Sequence, residues 1–195
     1  MKGRGERPAG SALDVALVHC PVCNKAGETI GSAVTNLDLH DIARACRTFG
    51  VGTFYVLTPF ADQQELVREI LAHWLHGHGA IANPDRKEAL SLIRLCSDLP
   101  ALYQAVREVH GRRPTILATS AGHQGEYWSY DRATASLAAR EPLLLLFGTA
   151  WGLAPEVMAE ADGVLPPIQG GNGSYNHLSV RSAVSIILDR LLGRG

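Results

Sequence analysis

The chain has 195 residues, 46% hydrophobic and 19% charged, with a formal net charge of −1. That composition excludes a disordered chain and is long enough to bury one substantial core. The near-neutral balance excludes a uniformly basic nucleic-acid binder, although a local cluster of Lys and Arg would still attract phosphates.

Residues 1–10 are polar and rich in Gly and Arg, without the apolar stretch of a secretory signal, so a flexible tail over 1–12 is expected. A short apolar run occupies 13–19. Residues 36–49 have helical period, with Leu39, Ile42, Ala43, Cys46 and Phe49 on one face and Asp38, Asp41, Arg44 and Arg47 off it. A β-rich run over 53–58 stops at Pro59, and a helix follows with Leu66, Ile70, Leu71 and Trp74 at core spacing. Strands are predicted at 91–95 and 115–118, separated by a helix over about 99–110. Pro142 opens the most apolar strand, 143–147, and Pro155 opens a short helix. The last helix carries Val180, Ala183, Val184, Ile187, Leu188 and Leu191 on one stripe and ends at Gly193.

The alternation predicts an α/β fold, a mostly parallel sheet with helices on both faces, as a single domain over 13–195. No run approaches the roughly 20 apolar residues of a membrane span, so no membrane association is expected. Four cysteines in a chain with this much core suggest a reduced, cytoplasmic protein. Cys20-Pro21-Val22-Cys23 supplies only half of a zinc site, Cys46 falls on an apolar helix face and Cys96 stands alone. No metal is expected.

In open α/β sheets, ligands bind beyond the carboxyl ends of strands. Three segments sit there: Thr119-Ser120-Ala121-Gly122, the run from Phe147 through Gly148 and Gly152 to Leu153, and Leu165-Pro166-Pro167-Ile168, which leads through the glycine-rich segment 169–174 to Asn176-His177-Leu178-Ser179. Their glycines let backbone amides approach a ligand, and their prolines stiffen a wall. The chain has no Gly-x-x-x-x-Gly-Lys-Ser/Thr motif, no Gly-x-Gly-x-x-Gly after the first strand and no Gly-x-Ser-x-Gly elbow. ATPase, standard dinucleotide and hydrolase chemistry lose support accordingly.

The order of these segments resembles the SPOUT superfamily. More narrowly, His19-Cys20-Pro21-Val22, the stretch 35–44, the stretch 144–153 and the stretch 175–183 resemble a small bacterial family of SPOUT-type RNA methyltransferase domain proteins, a likeness covering nearly everything after Leu13. The resemblance implies a C-terminal trefoil knot, a homodimer, S-adenosyl-L-methionine as cofactor and an RNA substrate (tRNA or rRNA). It implies cofactor contacts at Thr119, Ser120, Phe147, Gly148, Gly152, Leu165, Ile168, Asn176, Leu178 and Ser179. On this basis Gly148→Val is expected to crowd the cofactor while leaving the fold intact.

The stretch 38–44 resembles the first motif of SpoU-type ribose methyltransferases, Asn-x-Gly-x-x-x-Arg, with the arginine retained at Arg44. That residue would bind a phosphate or help activate a ribose hydroxyl. Asp38 stands in the place of Asn, His40 of Gly, Ala150 of a glutamate in the second motif and His177 of an asparagine in the third. These departures leave the acceptor open between a ribose hydroxyl and a base nitrogen, and leave open a non-catalytic RNA- or partner-binding module. The catalytic candidates are Arg44, His40, Asp38 and His177, the imidazoles as general bases because that group titrates near neutral pH. Lys25, Arg44, Arg47, Arg86, Lys87, Arg112 and Arg113 are candidates to meet an RNA backbone.

Overall fold

The computed structural model describes residues 11–122, 125–171 and 175–193. Most of the expected tail (1–10) and part of the glycine-rich segment (172–174) lie outside them. Among the described residues six parallel strands form one sheet: β1 (Leu13–Val18), β4 (Phe54–Leu57), β5 (Ile93–Cys96), β6 (Thr115–Ala118), β7 (Leu143–Gly148) and β8 (Gly163–Val164), in the spatial order β5-β4-β1-β7-β6-β8. A small antiparallel hairpin, β2 (Val22–Cys23) and β3 (Thr29–Ile30), hangs beyond the carboxyl end of β1.

Among the described residues eight helices flank the strands: α1 (Asn36–Phe49), α2 (Ala61–Leu75), α3 (His78–Ala82), α4 (Pro84–Leu90), α5 (Leu99–His110), α6 (Tyr130–Ala138), α7 (Pro155–Glu160) and α8 (Val180–Leu192). They cover both sheet faces. One core joins α1, α4 and α8 to Val15, Leu17, Leu145 and Phe147; the other joins α5 and α7 to Ala16, Val18, Leu144 and Leu146. Alternate residues of β1 and β7 thus feed opposite cores; both strands are buried on both sides, so β7 reads as a continuous apolar run and β1 as one interrupted by the buried Asp14.

Helix ends follow local chemistry. The Thr35 side chain accepts a hydrogen bond from the Asp38 amide at 3.2 Å and starts α1, and Gly50, at φ 74°, ends it in the left-handed region. Ser179 caps α8 by accepting from the Ser182 amide at 3.2 Å. The apolar stripe of α8, Val184, Ile187, Leu188 and Leu191, faces the chain's own sheet.

Three expectations shift. On α2 the buried residue is Val67, while Leu66 is 39% exposed, because the helix meets the core one position further round. The strand expected at 91–95 runs Ile93–Cys96, since Ser91 and Leu92 still belong to the turn that ends α4. Asp38, placed off the apolar face, is only 6% exposed.

Candidate functional site

All six strands run parallel, so their carboxyl ends share one edge, and there a cleft of about 900 Å³ opens. Thr119 and Ser120 follow β6, Phe147 and Gly148 end β7 with Gly152 close behind, Leu165 and Ile168 follow β8, and Asn176, Leu178 and Ser179 precede α8. All ten line this cleft.

The walls differ in construction. After β7 the backbone is bonded down to β1 and to the hairpin. Thr149 donates to the Val18 carbonyl through both its amide (3.2 Å) and its hydroxyl (3.1 Å), Trp151 N donates to Cys23 O at 3.0 Å, and Cys23 N donates to Gly152 O at 2.9 Å. The turn needs positive φ at Ala150 (51°) and Gly152 (110°), the second of which favours glycine. A Cβ on Gly148 would stand 2.6 Å from the Gly152 carbonyl carbon, so this glycine serves the turn's own packing. That corrects the expectation that Gly148→Val would leave the fold intact. By contrast, a Cβ on Gly122 or Gly152, both in the cleft wall, would meet nothing within 4 Å; there the backbone faces open space.

Behind this wall lies His19, fully buried, with Nδ1 3.2 Å from Ser32 Oγ. Ser32 hydrogen-bonds in turn to Thr149 Oγ1. Burial pushes the His19 imidazole down to about 4, against the opposing pull of the Asp38 carboxylate and a backbone hydrogen bond at Ala33.

Of the four catalytic candidates, Asp38 and His177 line the cleft. Asp38 accepts from Thr35 Oγ1 at 2.6 Å and from Arg181 Nη1 at 2.8 Å, and Arg181 Nε lies 3.3 Å from Asp41. A carboxylate this buried is tolerated because a guanidinium partners it. His177 is exposed, its ring edge-on to Tyr175 at 5.2 Å between centroids. Arg44 lies in an adjoining groove of about 740 Å³, which shares Ser179 and Arg181 with the cleft.

His40 lines neither cavity. Its ring packs edge-on to Trp74 at 5.3 Å, and Arg86 sits 4.7 Å from that indole. Burial first, then the Arg86 and Arg44 charges, hold its imidazole below the ordinary value, with Asp41 opposing. Helical geometry explains the separation: two residues on from Asp38 is about 200° round the helix.

The sequence does not single out Arg181, Thr35 or Trp151 as site residues, although Trp151 falls within the loop 147–153; all three line the cleft. Thr35 was findable as a Thr-x-x-Asp capping pattern. The Arg181 contact to Asp38 spans 143 positions and leaves no local signal. Among the described residues, no group of three or more His, Cys, Asp or Glu could hold a metal ion, and no helix is long and apolar enough to cross a membrane.

Residues 12–193 match the model of a family of SAM-dependent RNA methyltransferases. The chain belongs to that family. It is 47% identical to a tRNA (guanine-N(1)-)-methyltransferase of Oleidesulfovibrio alaskensis, over 96% of this chain and 43% of that protein. The chain therefore spans less than half the length of that relative. An uncharacterized protein of Aquifex aeolicus is 37% identical over 92% of this chain and 88% of its own length.

Among solved structures, a TrmH/SpoU tRNA modifying enzyme of A. aeolicus superposes with TM-score 0.57 at 18% identity, covering 95% of this chain and 76% of that one. The SpoU methyltransferase AviRb of Streptomyces viridochromogenes, solved with S-adenosylmethionine, gives 0.56 at 16% identity over 93% and 60%. These likenesses show a shared SpoU-type fold. The cleft suits a ligand bound largely by backbone: open glycine faces at Gly122 and Gly152, apolar surface from Phe147, Leu165 and Ile168, and few charged groups.

Proposed function

We propose that the cleft is the S-adenosylmethionine site, held by the ten residues named above, and that the chain methylates tRNA on a ribose hydroxyl or a base nitrogen. The observation that carries this is convergence: loops after β6, β7 and β8, far apart in sequence, line a single cavity. The O. alaskensis relative, a tRNA (guanine-N(1)-)-methyltransferase, and the A. aeolicus tRNA modifying enzyme support tRNA as the class of RNA. A cytoplasmic setting fits that substrate.

A trefoil knot belongs to the same proposal. It rests on the SpoU-type fold, and on the return of α8 to pack against α1 after β8 has paired outside β6. The homodimer rests on the SPOUT resemblance, since the apolar stripe of α8 is spent on its own sheet.

The sulfonium supplies the methyl group when the cofactor is bound. The protein's share is to hold the acceptor in line and take its proton. Asp38, braced by Thr35 and Arg181, orients the acceptor from the cleft wall; His177 takes the proton; Arg44, in the adjoining groove, binds a backbone phosphate of the same RNA. His40 acts from outside, by packing the helix that carries Asp38 and Arg44.

The test is mass spectrometry of modified nucleosides in tRNA with and without the gene, paired with calorimetry of S-adenosylhomocysteine binding. One methylated nucleoside should vanish on deletion and return with the purified protein. An unchanged nucleoside profile would overturn the tRNA assignment, and absent homocysteine-nucleoside binding would overturn the cleft. Added salt should weaken RNA binding through counterion release.

A further inference from the structure

Trp151 stands 63% exposed, although it lines the cleft. The other two indoles are half-buried and covered, Trp74 by Arg86 at 4.7 Å and Trp128 by Arg132 at 3.4 Å. Among the described residues no ring or guanidinium covers Trp151. Its backbone is not loose. It sits between two positive-φ residues, and its amide is bonded to Cys23 of the hairpin, so the indole is presented from a fixed base.

More apolar surface gathers at the same mouth: Leu178, 47% exposed, lines the cleft, and Tyr175, 66% exposed, packs on His177, which also lines it. Water-exposed aromatic surface clustered at a cavity mouth marks a place where a partner sits. The chemistry of that partner follows from its neighbours. Arg44 lies in the groove beside this cavity, so flat π-surface adjoins a cationic group, the pairing by which unstacked nucleotides are held.

We propose that Trp151 is the stacking platform for the base of the nucleotide to be methylated, taken out of its RNA stack and laid against the indole. This rests on the RNA-methylation reading above. The base gains a flat contact blind to its identity, and the fixed turn sets its distance from the methyl donor. Trp151 thereby acts as a positioning residue for the acceptor, with no part in binding the cofactor.

The experiment uses the full chain with saturating S-adenosylhomocysteine, titrated with bulk tRNA, and reads indole emission. Wild type should show quenching, and Trp151→Phe should lose it, because neither half-buried indole meets the base. In methyl-transfer assays Trp151→Ala should lower kcat/KM roughly 10- to 100-fold, the worth of one base–aromatic stack, chiefly through KM. Trp151→Phe should recover most of that loss, and cofactor affinity should stay within about twofold in both variants, since one stack is removed and no cofactor contact. Undiminished quenching in Trp151→Phe would overturn the proposal. So would loss of S-adenosylhomocysteine binding in Trp151→Ala, which would assign the indole to the cofactor. If wild type binds no RNA, the RNA-methylation reading itself falls, a result separable from either.

Discussion

The cleft has two kinds of wall. The one after β7 is backbone, bonded to β1 and the hairpin at Thr149, Trp151 and Gly152, with a buried neutral histidine behind it. The other, the acceptor wall of the proposed function, is side chains: the exposed indole of Trp151, the exposed imidazole of His177 and the Asp38–Arg181 pair. A wall made of backbone holds its shape through many side-chain substitutions, whereas one made of side chains changes its chemistry with each. The departures from the SpoU motifs at Asp38, His177 and Ala150 fall at this cleft without removing the backbone cradle.

The largest expected effect breaks the backbone wall. Gly148→Val drives atoms into Gly152 and Leu153, an overpacking costing about 1–3 kcal/mol, so the melting temperature should fall by several degrees and S-adenosylhomocysteine binding should disappear. Gly122→Val adds bulk to open space in the same cleft. It should leave the melting temperature unchanged while weakening binding tenfold or more, about 1.4 kcal/mol or above. If both variants melt alike, the two glycines do not differ as described.

His19 tests the same wall through pH. Its folded pKa of about 4 lies below the unfolded value of 6.5. The unfolded chain therefore takes up the proton first, and stability present above pH 6.5 is lost as pH falls toward 4. The full contribution is on the order of 3 kcal/mol. The melting temperature of wild type should drop between pH 7.5 and 5 more steeply than that of His19→Asn; parallel curves would remove His19 as the cause.

On the proposed reading Arg44, in the groove beside the cleft, serves the RNA and not the cofactor. Arg44→Ala should lower methylation roughly 10- to 100-fold, the cost of one charge-assisted phosphate contact of about 1.5–3 kcal/mol. Binding of S-adenosylhomocysteine should hold, because Arg44 lies in the adjoining groove. Equal losses in both would make Arg44 a structural residue.

The same contrast decides what the sequence revealed. Residues of α1 were legible to the last position, because Thr35 caps them, Gly50 ends them and the apolar spacing between is regular. The strand β7 was legible as an apolar run, and the loops that line the cleft by lying after strands. The hairpin and β8 were not, since strands of two residues carry no period. Nor was α6, which buries only Ala133. On the acceptor side, Asp38 reads as a solvent-facing residue until Arg181, 143 positions away, turns out to neutralise it. Side-chain pairs closed over that distance are set by topology, not by local pattern.

The smallest effect lies where the two walls meet. The Thr35 hydroxyl accepts from the Asp38 amide at 3.2 Å and donates to the Asp38 carboxylate at 2.6 Å, so one oxygen both caps α1 and braces the acceptor wall. Thr35→Ala removes the cap, worth about 1 kcal/mol, and should lower the melting temperature by roughly 2–4 °C in a chain of this size. Asp38 keeps Arg181 as its partner, at 2.8 Å, so methylation should fall far less than in Arg181→Ala, where the carboxylate loses the charge that lets it sit buried. Thr35→Ser, which keeps the oxygen, should restore both melting temperature and rate. If Thr35→Ala lowers the rate as much as Arg181→Ala does, the hydroxyl and not the guanidinium holds Asp38 in place, and the acceptor wall is built from its helix cap.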